Sequence, residues 1–166
     1  MKYIDQKDGT FAAIDESKLT DFDELDLALR PIFLDETDPL IVAWLAAKPT
    51  AKASAWERIK TERDRRIQQG GYKAGTKWYH SDTFSRTQQM GLVMLGANIP
   101  ANTPWKTMDG SFVVMTQTLA GQIFGTAAAS DIAIFTAAEV HKAAMEASAD
   151  PAAYSFTGGW PAIYGA

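Results

Sequence analysis

The period of hydrophobic and polar positions changes along the chain, and with it the element each stretch predicts. Residues 2–13 carry a short aromatic and aliphatic run around Asp8-Gly9. That dipeptide suits a two-residue type I′ turn, whose central residues both need positive φ, so a small N-terminal hairpin is expected. Residues 15–38 are acidic, with Phe22, Leu25, Leu27, Leu29, Ile32 and Phe33 scattered without a period, and no element is assigned there. Asp38-Pro39 then offers an N-cap and a proline at the first helical position, with Leu40, Ile41, Trp44 and Leu45 on one face of a short helix. The small, proline-broken run that follows reads as a linker, placed at residues 49–55.

Ser54 and Glu57 have the spacing of a capping box, which predicts a charged helix to about Gln69 with a narrow seam of Trp56, Ile59 and Ile67, ended by Gly70-Gly71. Residues 72–80 predict a second hairpin turning at Ala74-Gly75. Ser81 or Asp82 then caps a helix bearing Phe84, Met90, Leu92, Val93 and Leu95, stopped by Gly96. A third hairpin centres on Asp109-Gly110. Counting outward pairs Met108 with Ser111, Thr107 with Phe112, Lys106 with Val113 and Trp105 with Val114, so Trp105, Thr107, Phe112 and Val114 share a face. An alanine-rich helix opens at Thr116 or Thr118 and extends to about Ser148. Leu119, Ile123, Ala127, Ser130, Ile134, Ala137, His141 and Ala144 form its seam at alternating spacings of four and three, although Thr136 and Glu139 could restart a second helix. Residues 149–166 are an aromatic tail without a period.

Composition narrows the function. With 166 residues the chain is long enough for a core without metal or disulfide staples. Sixteen Lys and Arg against twenty Asp and Glu leave a net charge of −4, which argues against sequence-independent nucleic-acid binding. No apolar run is seen to approach the length of a bilayer span, so no membrane partner is expected. There is no cysteine, and the first residues lack the apolar stretch of a signal peptide, so a cytoplasmic protein is expected.

Few residues carry chemistry. His80-Ser81-Asp82 gathers an imidazole, a hydroxyl and a carboxylate, but adjacent side chains at a strand end do not converge, and Ser-Asp before a helix is what capping requires. Only His80 and His141 are available as histidines, so no three-ligand zinc site can be built from His and Cys, and no metal or cofactor is expected. The carboxylate pairs Glu36 with Asp38 and Asp21 with Asp23 could serve a glycosidase, yet acidic clusters in an unpatterned segment usually form solvated surface. Gly70, Gly71 and Gly75 follow a helix and precede a strand, the reverse of a phosphate loop. Trp78, Tyr79 and Trp105, with Lys77 and Lys106, could stack bases or sugars, but aromatics on small sheets more often pack in a core or an interface.

The run WERIKTERDRRIQQGGYKAGTKWYHSDTFSRTQQMG, followed by PWKTMDGSFVVMT and an alanine-rich helix, resembles a C-terminal domain of unknown function that is widespread in tailed-phage genomes and found in tail-fibre assembly chaperones and other small tail proteins. The matching positions are Arg58, Arg63, Trp78, Ser81, Asp82, Ser85, Arg86, Trp105, Thr107, Asp109, Gly110, Thr116 and Phe135. Residues 35–51 resemble, more weakly, a Trp-Leu segment that precedes such domains. The resemblance carries no catalytic residues.

The architecture expected is α+β. A hairpin-plus-helix arm occupies residues 1–48, and after the linker the helix-hairpin-helix-hairpin-long helix domain fills 56–148. The resemblance implies a non-enzymatic tail protein that binds a tail fibre or adjacent tail proteins, as assembly chaperone or as a component retained in the virion tail. It would act in the host cytoplasm during assembly and could also self-associate. Trp78, Tyr79, Trp105, Phe112, Trp160 and Tyr164 are its interface candidates. A small cell-wall or glycan hydrolase and a carbohydrate-binding module are the alternatives.

Overall fold

A computed structural model describes residues 1–8, 10–22 and 31–165, and the protein is α+β. It divides into two compact units, Met1–Thr50 and Ala51–Ala166.

In the first unit, β1 (Lys2–Asp5) is the centre of a three-stranded antiparallel sheet, flanked by β2 (Phe11–Ile14) and β3 (Phe33–Asp35). The expected hairpin forms, with Asp5 paired to Phe11 and five residues between the strands; Gly9 of the expected turn lies outside the described residues. The Asp8 carboxylate accepts from both the amide and the hydroxyl of Thr10, and Lys7 takes the positive φ, at 62°. β3 lies in the stretch that sequence periodicity left blank. A 3-10 helix spans Glu16–Phe22, while Asp23, Leu25, Leu27 and Leu29 lie outside the described residues.

Helix α1 (Pro39–Ala47) begins as its cap predicts, with Asp38 accepting from the Leu40 amide at 2.9 Å. It is apolar nearly all round. Ile41 is fully buried, and Trp44 meets Tyr3 and Phe11 edge-on at centroid distances of 6.1 and 5.4 Å.

In the second unit, α2 (Ala51–Gln69) starts within the stretch read as a linker. The alanines of residues 51–55 are strong helix formers, and Ala55 is buried beside Ile59, Ala138 and Met145, which draws the whole segment into the helix. Only residues 48–50 separate α1 from α2. Ser54 and Glu57 sit inside the helix, and Glu57 pairs with Lys60 at 2.6 Å instead of capping.

Gly71 follows α2 with φ at 66°, and a Cβ there would strike Met108 Sδ, so both conformation and close packing require glycine. The second hairpin, β4 (Tyr72–Ala74) with β5 (Lys77–Tyr79), turns at Gly75-Thr76, one residue later than expected, because Gly75 supplies the positive φ. Helix α3 (Thr83–Leu95) is capped by Asp82, whose carboxylate accepts from the Ser85 amide and hydroxyl.

The third hairpin, β6 (Pro104–Lys106) with β7 (Phe112–Val114), is shifted by one from the expected register: Trp105 faces Val113 and Lys106 faces Phe112. Met108, Asp109 and Gly110 form a three-residue loop, with Gly110 at φ 82° donating to the Thr107 carbonyl and the Thr107 amide donating to Ser111. Asp109 fixes this form by accepting from the Ser111 amide and from the hydroxyls of Thr107 and Ser111, while Lys77 adds an ion pair at 2.7 Å. A one-residue shift exchanges faces. Trp105 and Val113 pack toward the core, while Phe112 and Val114 stand exposed, so the expected shared face is split.

Helix α4 (Gln117–Ala147) is continuous for 31 residues. Thr116 caps it, and Thr136 donates back to the Ile132 carbonyl without starting a new helix. Ala120, Ile123, Ala127, Ile134, Ala138, His141 and Met145 are buried, while the expected seam members Leu119, Ser130 and Ala137 lie at its margin and Ala144 is exposed. By length and composition α4 could cross a membrane, which corrects the expectation that no segment could. Alanine, glycine and isoleucine dilute its few charges over the helix although no unbroken apolar run exists.

Its N-terminal half holds one core with Tyr72, Tyr79 and Met115, and its C-terminal half a second with Ala55 and Ile59. Burial pushes the Tyr72 hydroxyl up to about 12 and raises that of Tyr79. Below pH 10 the Tyr72 phenol is protonated folded or unfolded. Between 10 and 12 the unfolded chain releases that proton first, so stability falls with rising pH, by on the order of 2 to 3 kcal/mol from Tyr72. An absorbance titration at 295 nm should therefore show two of the five tyrosines ionising only as the protein unfolds. Smooth titration of all five in the folded state would contradict that burial.

Candidate apolar docking face

Helices α3 and α4 cross the first core and leave a groove between their outer edges. Its polar end is built first. Arg86 reaches from α3 to Asp131 of α4 with two parallel hydrogen bonds of 2.5 and 2.8 Å, and its Nε and Nη2 donate to the carbonyls of Ser81 and Ile67. The Asp131 carboxylate holds the guanidinium pKa above its ordinary value. Beneath it, Tyr72 donates its hydroxyl to Gln89 Oε1, and Gln89 Nε2 donates to the His80 carbonyl at 3.0 Å. These polar groups are mutually satisfied, so they orient the helices without offering a free acid or base.

The rest of the groove is apolar. A pocket of about 340 Å³ is lined by Thr83, Thr87 and Met90 from α3 and by Phe124, Ala127 and Ala128 from α4, with Arg86 and Asp131 at its end. Along the same two helices Met94, at 82% exposure, Ile132, at 68%, and the half-exposed Phe135 also face solvent. Arg63 stacks over the Phe135 ring at 4.9 Å. Only 28% of the most apolar 18-residue window of α4 is buried, so this helix carries a second apolar face that the described residues do not cover. Such a surface accepts apolar side chains.

The six aromatic candidates are dispersed. Tyr79 is 2% exposed and belongs to the core, so it cannot meet a partner. Trp105 is half-buried against the same core, and Trp78 packs edge-on to Tyr164 at 6.1 Å. Trp160 donates its Nε1 proton to the Phe156 carbonyl at 2.7 Å and lies 4.9 Å from the His141 ring, committed to docking the tail. Phe112 and Tyr164 remain exposed.

Several of the other chemical candidates are engaged in structural contacts. Ser81 Oγ accepts from the Gly71 amide, and Asp82 and Asp38 are helix caps. Glu36 lies 3.7 Å from the N-terminal ammonium, and Asp23 is outside the described residues. Among the described residues no three His, Asp or Glu side chains gather as a metal site. Sequence reasoning missed Phe124 and Ala128. Their signal was a second apolar row, Phe124, Ala128, Ile132 and Phe135, running beside the seam at helical spacing.

Neither curated proteins nor solved structures give a match to the chain. Residues 50–158 match the family described as Domain of unknown function (DUF4376). That match takes in α2 through α4 and most of the tail, well over half of the chain, and the protein belongs to this family.

Proposed function

We propose that the protein is a non-enzymatic tail protein of a tailed phage that binds the tail fibre or a neighbouring tail component, as assembly chaperone or as a structural part retained in the virion. It would meet its partner in the host cytoplasm. The uncovered apolar face of α3 and α4 carries this reading, because a protein that shields another's apolar surface during assembly must keep an apolar surface of its own open to solvent. The resemblance of the Trp78 to Arg86 and Trp105 to Gly110 segments to phage tail-protein domains supplies the biological setting.

The test is co-expression with the neighbouring fibre gene followed by size-exclusion chromatography. A complex is expected with the native chain, and Met90→Asp with Phe124→Asp should weaken it at least tenfold, since both side chains are about half exposed and their replacement leaves the core intact. Two independently eluting species would sink the reading. So would a native chain that floats with liposomes and ignores the fibre, which would assign the same face to a lipid surface.

A further inference from the structure

A second concavity, separate from the α3–α4 groove, lies where the third hairpin meets the other side of α3. It encloses about 350 Å³, at the small end of the range for ligand pockets, and Trp105 and Phe112 provide ring surface in it. His80, Ser85, Gln88, Pro104 and Lys106 complete the lining. Ser85 is spent on the Asp82 cap. Among the described residues, by contrast, no hydrogen bond or ion pair engages the side chains of Gln88 or Lys106, and His80 interacts only through space with the neighbouring Asp82 carboxylate.

The geometry points to a binding site for a carboxylated sugar residue of an acidic glycan. Lys106 is a cation, the His80 imidazole can donate from a ring nitrogen, and the Gln88 amide presents both a donor and an acceptor. No carboxylate lines the pocket, so its charge selects an anion. The rings add a flat apolar surface on which the C–H face of a saturated pyranose can lie, while its hydroxyls reach the amide at the rim. Neither feature depends on the fibre-binding reading, since none of these residues lies on the α3–α4 face.

Titration of the ¹⁵N-labelled full-length chain with tetragalacturonate, observed by NMR, tests the site. Shifts are expected at the Trp105 indole N–H and the Gln88 side-chain amide. Lys106→Gln should lower the affinity at least tenfold, and Phe112→Ala at least threefold. Both residues are exposed, so neither variant disturbs the core. Maltotetraose, equal in length and uncharged, should leave both signals in place. Absence of shifts at millimolar tetragalacturonate overturns the assignment. Equal binding of maltotetraose removes the carboxylate, and equal binding of tetraglutamate removes the sugar.

Discussion

Replacing Arg86 with alanine is expected to lower the free energy of unfolding by about 3 kcal/mol, measured by urea denaturation. The guanidinium joins the N-terminal turn of α3 to the middle of α4 and to the end of α2 at once, through Asp131 and the carbonyls of Ser81 and Ile67. Both partners of the pair are about a quarter exposed. The mutant would therefore leave a half-desolvated carboxylate and two carbonyls without donors, which costs more than the loss of a solvated surface pair. The double variant Arg86→Met, Asp131→Leu separates these terms. If the cost lies in the orphaned charge, the double variant should recover most of the lost stability; if it unfolds as readily as Arg86→Ala, the two carbonyl bonds are what matter.

Arg86 also shows which part of this protein is legible in its sequence. Caps were partly legible because they are local: Asp38, and one of each expected pair, Asp82 and Thr116, satisfy amides two or three residues away, whereas the Ser54–Glu57 box lies inside α2. Hairpins were legible in place but not in register. The shift in the third came from Asp109, whose carboxylate closes a three-residue loop that a count of Asp-Gly alone does not distinguish from a two-residue turn. The expected linker is too long for the opposite reason: the chain does divide at residue 50, but residues 51–55 are helical. Residues 51–55 look featureless until Ala138 and Met145, far along the chain, bury Ala55.

The docking face was the least legible part. An α-helix displays several rows at once, and pattern alone does not say which row the core will take. On α4 the buried row lies close to the seam expected, and the aromatic row beside it is left outside. Eight of the thirteen positions that carry the phage-domain resemblance behave alike in this respect. Ser81, Asp82, Ser85, Arg86, Thr107, Asp109, Gly110 and Thr116 all make caps, turns or cross-links. They specify a scaffold, so they can carry a resemblance between domains without marking a site.

The aromatic tail belongs to that scaffold, and ending the chain at Asp150 should destabilise the second unit by at least about 4 kcal/mol. The second core consists of Ala55, Ile59, Ala138 and Met145, too small to be closed by α2 and α4 alone, and Tyr154, Phe156 and Trp160 cover it. Arg58 donates to the Ala152 carbonyl at 2.6 Å, Arg66 to that of Pro161 at 3.0 Å, and the Tyr164 amide to Gly70 at 2.8 Å, so the tail is held along its length. His141 bonds Tyr154 through Nδ1 at 3.0 Å and packs beneath Trp160, with its Nε2 buried and without a partner. Trp160→Ala alone should cost about 2 to 3 kcal/mol, whereas Tyr164→Ala, at a more exposed ring, should cost less than about 1. The shortened chain should also bind a hydrophobic dye, because Ile59 and Met145 would meet water. A shortened chain that melts with the native one and binds no dye would show that α2 and α4 close this core unaided, and would free Trp160 for a partner after all.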